Sequence, residues 1–388
     1  MNKRKPTGLS APPAAEPAIS ATPTTTATPT TPAELTTTAE PATPAAPATT
    51  ATPTTEMMPA STTATSASTG SATAGDRVLV GLPVSERHRK FLESCAPECE
   101  FIYKPKELVV DSDLEDVSVV IGNIRPTAAA AAPALQWIQL NSAGADEYVA
   151  VRRAADHWQI CCARGAYSIA VSEHMIGMLF DMIRHFGEYH RKQAEHIWEA
   201  NTHIVSIEGS TVLVLGLGDI GSSFARKIKG LGAAAVIGVR RNCGPKPDCV
   251  DEVCTTDELD SVLGRADFVA MVLPGGEETR GIMDERRLRM MKKGSYLVNV
   301  GRGNAVDSAA LKKVLSEGLL AGVGLDVTDP EPLPADDPLW DMENVFITPH
   351  VAGQFYLDET FERIVRIAGR NLRHWTSGEP LENVVGLY

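Results

Sequence analysis

The chain has 388 residues, 43% of them hydrophobic, and a formal net charge of −13 at pH 7. That length suffices for two or three domains with buried cores. An acidic balance argues against nucleic acid as a partner, and no apolar run approaches the roughly 18 residues of a membrane span, so no membrane partner is expected.

Residues 1–75 are almost wholly Ala, Thr, Pro and Ser, without an aromatic residue, Val, Cys or His. Such composition buries too little apolar surface to offset chain entropy, which predicts a disordered tail. Lys3, Arg4 and Lys5 nearly cancel Glu16, Glu34, Glu40 and Glu56, so the negative charge belongs to the folded part. Pro6, Pro12, Pro13 and Pro17 interrupt any secretory leader behind the basic start, and export is not expected. Seven cysteines, at 95, 99, 161, 162, 243, 249 and 254, form no CxxC pair. They suit a cytoplasmic, reducing location better than a disulfide framework or a zinc site, so no metal is expected.

From residue 76 onward, short β-rich runs alternate with helical patterns, which predicts parallel sheets covered on both faces. The first region holds RVLVGL (77–82), VSVVIG (117–122), LQWIQL (135–140) and WQICC (158–162), followed by one long helix over about 172–198. The second holds TVLVLG (211–216), AAVIGV (234–239), FVAMVL (268–273), YLVNVG (296–301), GVGLDV (322–327) and VFITP (345–349). A helix over about 356–376 is expected to return to the first region. The fold class is therefore α/β with two doubly wound parallel-sheet domains. The cofactor domain (173–354) is inserted into a smaller, discontinuous substrate domain (76–172 and 355–388).

GLGDIG, from Gly216 through Gly218, Asp219 and Ile220 to Gly221, follows a buried strand and opens a helix. In that context the glycines fit a dinucleotide turn, with the pyrophosphate on the helix N-terminus. The next strand ends in Arg240 and Arg241, near where an NAD site places an acid for the ribose hydroxyl about 20 residues on. Guanidinium groups there suit a 2′-phosphate. NADP(H) is expected to be preferred, with NAD(H) also accepted.

Four motifs in order, GLGDIG, MKKGSYLVNVGRGNAVD, GLDVTDPEPLP and ITPHVAG, resemble the D-isomer-specific 2-hydroxyacid dehydrogenase family, which includes glyoxylate/hydroxypyruvate reductases and phosphoglycerate dehydrogenases. The resemblance covers about 76–388. It implies that Arg302 anchors a 2-oxo acid, that His350 is the acid/base, and that Glu331 is its carboxylate partner. It further implies cofactor contacts from Leu273, Pro274, Thr279, Val300, Gly301, Arg302, Asp326, His350 and Gly353. Ser142, Ala143 and Gly144 resemble a loop whose N–H groups receive the substrate carboxylate, beside Arg302 and His350, with Asn123 or Arg125 in the same cleft.

In LPGGEET (273–279), Gly275 and Gly276 stand where the family usually shows a threonine. His185, His190 and His196 read as surface residues. The resemblance also implies a homodimer, paired through the long helix by Ile176, Met178, Leu179, Met182 and Ile183.

The substrate expected is an unphosphorylated small 2-oxo acid, because only scattered basic residues such as Lys104, Lys106 and Arg125 are available for a phosphate. The alternatives are a phosphoglycerate dehydrogenase-like enzyme and a non-enzymatic, dinucleotide-sensing corepressor-like protein.

Overall fold

The structure, a computed structural model, describes residues 72–153, 156–242 and 244–386. The tail expected over 1–75 therefore lies outside the described residues up to 71. Residues 72–75 already belong to the fold: Ala72 N donates to Trp375 O, and the Asp76 carboxylate accepts from Thr73 N and Oγ1 at 2.6 and 3.0 Å.

The first sheet contains β1 (Arg77–Val80), β2 (Glu100–Tyr103), β3 (Val117–Ile121), β4 (Trp137–Gln139) and β5 (Gln159–Cys161), all parallel, in the order β2-β1-β3-β4-β5. The second contains β6 (Thr211–Leu215), β7 (Ala235–Arg240), β8 (Glu252–Thr255), β9 (Phe268–Met271), β10 (Tyr296–Asn299), β11 (Gly322–Leu325) and β12 (Val345–Ile347). Its order is β12-β11-β10-β9-β6-β7-β8, again all parallel. The central strands are buried throughout, as a parallel sheet with helices on both faces requires. Strand order reverses between β6 and β9, which opens the ligand crevice at their carboxyl ends.

Ten α-helices lie among the described residues: α1 (Glu86–Cys95), α2 (Pro126–Ala131), α3 (Asp146–Val151), α4 (Ser168–Arg184), α5 (Phe186–Ala194), α6 (Asp219–Gly230), α7 (Leu259–Leu263), α8 (Glu285–Met290), α9 (Ser308–Ser316) and α10 (Asp358–Ser377). Among those residues no helix is long and apolar enough to cross a membrane.

The single helix expected over 172–198 is two. His185 adopts a left-handed conformation, φ 56°, that ends α4 and starts α5. Met178, Leu179 and Ile183 are buried within the chain. Met178 and Met182 lie against Gly324 and Gly322 of β11, where a Cβ would stand 3.2 Å from Met178 Cε and 3.2 Å from Met182 Sδ. Part of the α4 face expected at a dimer thus packs on this subunit's own sheet, while Ile176 and Met182 remain partly exposed.

The chain after residue 357 returns to the smaller sheet. Gly369 of α10 lets Phe91 of α1 approach, Asn371 Nδ2 donates to the buried Gln139 Oε1 at 2.7 Å, and Val384 bridges Cys161.

Candidate active site

The glycine turn follows directly from β6. Gly216 has φ +101°, and a Cβ there would stand 2.7 Å from Val272 O, while one on Gly221 would strike the Gly216 carbonyl. Both positions require glycine, one for its dihedral and one for helix–strand contact. Gly218 is different: nothing lies within 4 Å of where its Cβ would be. As N-cap of α6 it offers no side chain, so the first N–H groups of a 12-residue helix have no side-chain cap and carry the positive dipole end. That cradle fits a pyrophosphate. Ile220 packs against the core, and Asp219 is exposed at the start of α6.

At the adenosine end, Arg240 turns its guanidinium onto the carbonyls of Gly244 and Pro245, and Arg241 Nη2 pairs with Glu278 Oε2 at 2.6 Å. The facing loop runs from Leu273 and Pro274 to Thr279. A Cβ on Gly301 would lie 2.6 Å from Leu273 O, so only glycine fits where Val300 leads out of β10. The Thr279 hydroxyl turns back on the carbonyls of Pro274 and Gly276 at 2.8 and 3.1 Å, which commits it to the shape of its own loop.

Arg302, Asp326, Glu331 and His350 stand beyond the carboxyl ends of the adjacent strands β10, β11 and β12. His350 Nδ1 and Glu331 Oε1 are 2.6 Å apart; the imidazole N–H donates, so Nε2 is left for other chemistry. His350 itself is left-handed, φ 51°, a conformation that persists where the surroundings enforce it. The enforcement comes from Asp326. Its backbone O accepts from His350 N at 2.8 Å, and its buried carboxylate accepts from Thr348 Oγ1 at 2.6 Å, Val351 N at 2.9 Å and Ala352 N at 3.1 Å. Asp326 therefore builds the turn that carries His350, and His174 of α4 supports Thr348 at 3.0 Å. Gly353 follows that turn, near Val171 and Tyr167.

The loop Ser142, Ala143, Gly144 is brought to Arg302. A Cβ on Gly144 would collide with Arg302 Nη2. Asn123 and Asn141 hold the loop by reciprocal bonds of 2.8 Å, Asn123 Nδ2 donates to Ser142 Oγ at 3.1 Å, and Ser142 Oγ donates to Gly144 O at 2.6 Å. Arg125 instead pairs with Asp111 at 2.6 Å on the surface.

Two residues escaped sequence reasoning. Buried Asn299 donates to Arg302 O and accepts from Gly301 N, fixing the turn after β10. Asp146 Oδ2 accepts from Arg302 Nε at 2.8 Å. Its only signal in the sequence was an acid directly after the small-residue loop, which reads equally as a favourable first-turn charge on a helix.

Residues 176–352 match the family described as D-isomer specific 2-hydroxyacid dehydrogenase, NAD binding domain. The chain is 31% identical over 292 residues to a glyoxylate reductase of Korarchaeum cryptofilum, covering 72% of this chain and 86% of that protein. A D-isomer specific 2-hydroxyacid dehydrogenase family protein from Aeromonas salmonicida superposes with a TM-score of 0.71 at 28% identity, over 81% of this chain and 99% of its own. An NADPH-dependent glyoxylate/hydroxypyruvate reductase from Sinorhizobium meliloti, solved with NADP and sulfate, does so at 0.67 and 26%, over 80% and 98%. With a glycine cradle at the switch point, and an arginine and a His–Glu pair beyond the carboxyl ends of adjacent strands, the chain belongs to the D-isomer specific 2-hydroxyacid dehydrogenase family, NAD(P)-dependent oxidoreductases of 2-hydroxy acids.

Proposed function

We propose that this chain reduces a small, unphosphorylated 2-oxo acid of the glyoxylate or hydroxypyruvate type to the D-2-hydroxy acid, using NADPH in preference to NADH. The observation that carries the reading is the 2.6 Å contact between His350 Nδ1 and Glu331 Oε1, which fixes the ring with Nε2 available to a substrate carbonyl. A reduced nicotinamide, when bound, supplies the hydride. Arg302 meets the substrate's carboxylate beside the N–H groups of 142–144, a planar donor fork suited to a 2-oxo acid. His350 Nε2 gives its proton to the carbonyl oxygen and recovers it in the oxidative direction.

Preference for NADPH rests on Arg240 and Arg241 at the end of β7, where the chain carries no acid of its own for a ribose 2′-hydroxyl, although Glu278 of the facing loop pairs with Arg241 at 2.6 Å. The S. meliloti relative, NADPH-dependent by description, supports this choice. The cofactor-binding part extends over 173–354 and the substrate part over 76–172 and 355–388. We assign the protein to the cytoplasm, since the six described cysteines are free.

We also propose a homodimer, paired through α4 and the arm that follows it. Phe186, Ile197, Trp198 and Ile204, on the arm after α4, are exposed, Trp198 fully at 100%, and large apolar side chains left open in this way support a partner surface.

NADPH oxidation with glyoxylate, hydroxypyruvate, a branched 2-oxo acid and 3-phosphohydroxypyruvate tests the assignment. Turnover of the unphosphorylated acids above the phosphorylated one is expected. Tight cofactor binding with no turnover on any of them would favour a dinucleotide sensor instead.

A further inference from the structure

Arg302 is held on two of its three guanidinium nitrogens. Nε donates to Asp146 Oδ2 at 2.8 Å and Nη1 to Gly301 O at 2.8 Å, while no hydrogen bond falls on Nη2 among the described residues. Nη2 occupies the space that a side chain on Gly144 would fill. Asp146 in turn occupies the space of a side chain on Gly275: a Cβ there would stand 2.8 Å from Oδ1 and 3.0 Å from Cγ. Two glycines in different loops thus make room for one ion pair, which joins α3 of the smaller lobe to the end of β10 in the larger.

Stability does not explain this arrangement. The Asp146 side chain is 58% exposed, and an ion pair so open to water contributes about 0–1 kcal/mol. Geometry does explain it. An arginine tethered at one end by its flexible stem sweeps a wide arc, and a catalytic site needs its donors fixed before substrate arrives. With Nε and Nη1 both engaged, the guanidinium plane is set and Nη2 is the donor left facing the 142–144 loop.

We propose that Asp146 is the positioning residue for Arg302, holding the guanidinium through Nε so that Nη2 meets the substrate carboxylate at Gly144, and that the gap at Gly275 is what admits Asp146 to that place. The inference rests on Arg302 being the substrate anchor. A side chain at Gly275 would displace the carboxylate.

The test is steady-state kinetics of the full chain on glyoxylate and hydroxypyruvate, with NADPH affinity and Tm measured in parallel. Asp146→Ala should raise KM for the 2-oxo acid about tenfold or more, the scale of a lost hydrogen bond to a charged group, while NADPH affinity and Tm stay nearly unchanged. Asp146→Asn, which keeps an acceptor for Nε, should recover most of the loss. Gly275→Ala should raise KM in the same direction, and add nothing in the Asp146→Ala background. Asp146→Ala should also add little to Arg302→Ala. An unchanged KM in Asp146→Ala, alongside a large rise in Arg302→Ala, would overturn the positioning role alone. A silent Arg302→Ala would remove the anchor itself, and the inference with it. A loss in Asp146→Ala spread equally over KM, NADPH affinity and Tm would mark a merely structural residue and equally overturn the inference.

Discussion

Oε1 of Glu331 lies 2.6 Å from Nδ1 of His350, although 19 positions separate them in the chain. The carboxylate accepts from Nδ1 and so selects the tautomer that leaves Nε2 free of it. Glu331→Gln keeps an acceptor oxygen at the same place and removes the charge. The expected result is a reductive kcat lower by roughly 10- to 100-fold, part of what a positioned acid contributes, with NADPH affinity unchanged. Comparison of kcat and cofactor titration for the two proteins checks it.

Gly144 is the point where the substrate loop and Arg302 touch. A methyl group there meets the far end of a flexible side chain, so the fold tolerates Gly144→Ala and the arginine moves instead. KM for the 2-oxo acid should rise tenfold or more, while Tm holds. A drop in Tm with unaltered KM would show the contact to be packing only.

The proposed preference for NADPH is tested at Arg240, Arg241 and Glu278. Arg241→Ala should lower kcat/KM for NADPH about tenfold while leaving NADH largely unaffected, because only the former brings a phosphate to pair with. Glu278→Gln should act oppositely, since it releases Arg241 from its 2.6 Å pair. Equal effects on both cofactors would detach these residues from the 2′-phosphate.

Much of the fold was legible because the strands at the sheet centres are unbroken apolar runs, such as Val212 to Leu215 and Leu297 to Val298, each ending in a glycine motif. Of the four edge strands, β5 and β12 were legible and β2 and β8 were not. β2 (EFIY) and β8 (EVCT) are half exposed, so they carry charges and show no apolar run. The break at His185 was equally hidden, because a left-handed residue other than glycine leaves no trace in periodicity. Motifs brought Arg302, Glu331 and His350 within reach, but Asp146 pairs across 156 positions with a residue of another lobe. No local pattern encodes such a contact. Asp326, read as a nicotinamide contact, looked like an ordinary strand-end acid, and only coordinates reveal its four bonds to the His350 turn.

Away from the site, Arg286 and Arg287 of α8 hold the carboxyl of Asp260 in α7 down at about 2. A carboxyl depressed by folding contributes stability that is present above the ordinary value of about 3.9 and lost as pH falls from there through the folded value. The window is therefore about pH 4 to pH 2. Asp260→Asn should lower Tm at pH 7 by about 1–3 °C, modest because the pairs are partly exposed. It should also flatten the decline of Tm across that acid window. Melting curves of both proteins between pH 2 and pH 7 decide it, and parallel curves would exclude the linkage.

In the proposed reaction His350 passes a proton to a 2-oxo acid anchored by Arg302. The most direct measurement is the reductive kcat of His350→Ala on glyoxylate at saturating NADPH, set beside cofactor affinity measured by fluorescence titration. The account predicts a fall of about 100- to 10,000-fold in kcat with NADPH binding preserved, since proton donation belongs to the transition state. An unchanged kcat would contradict it.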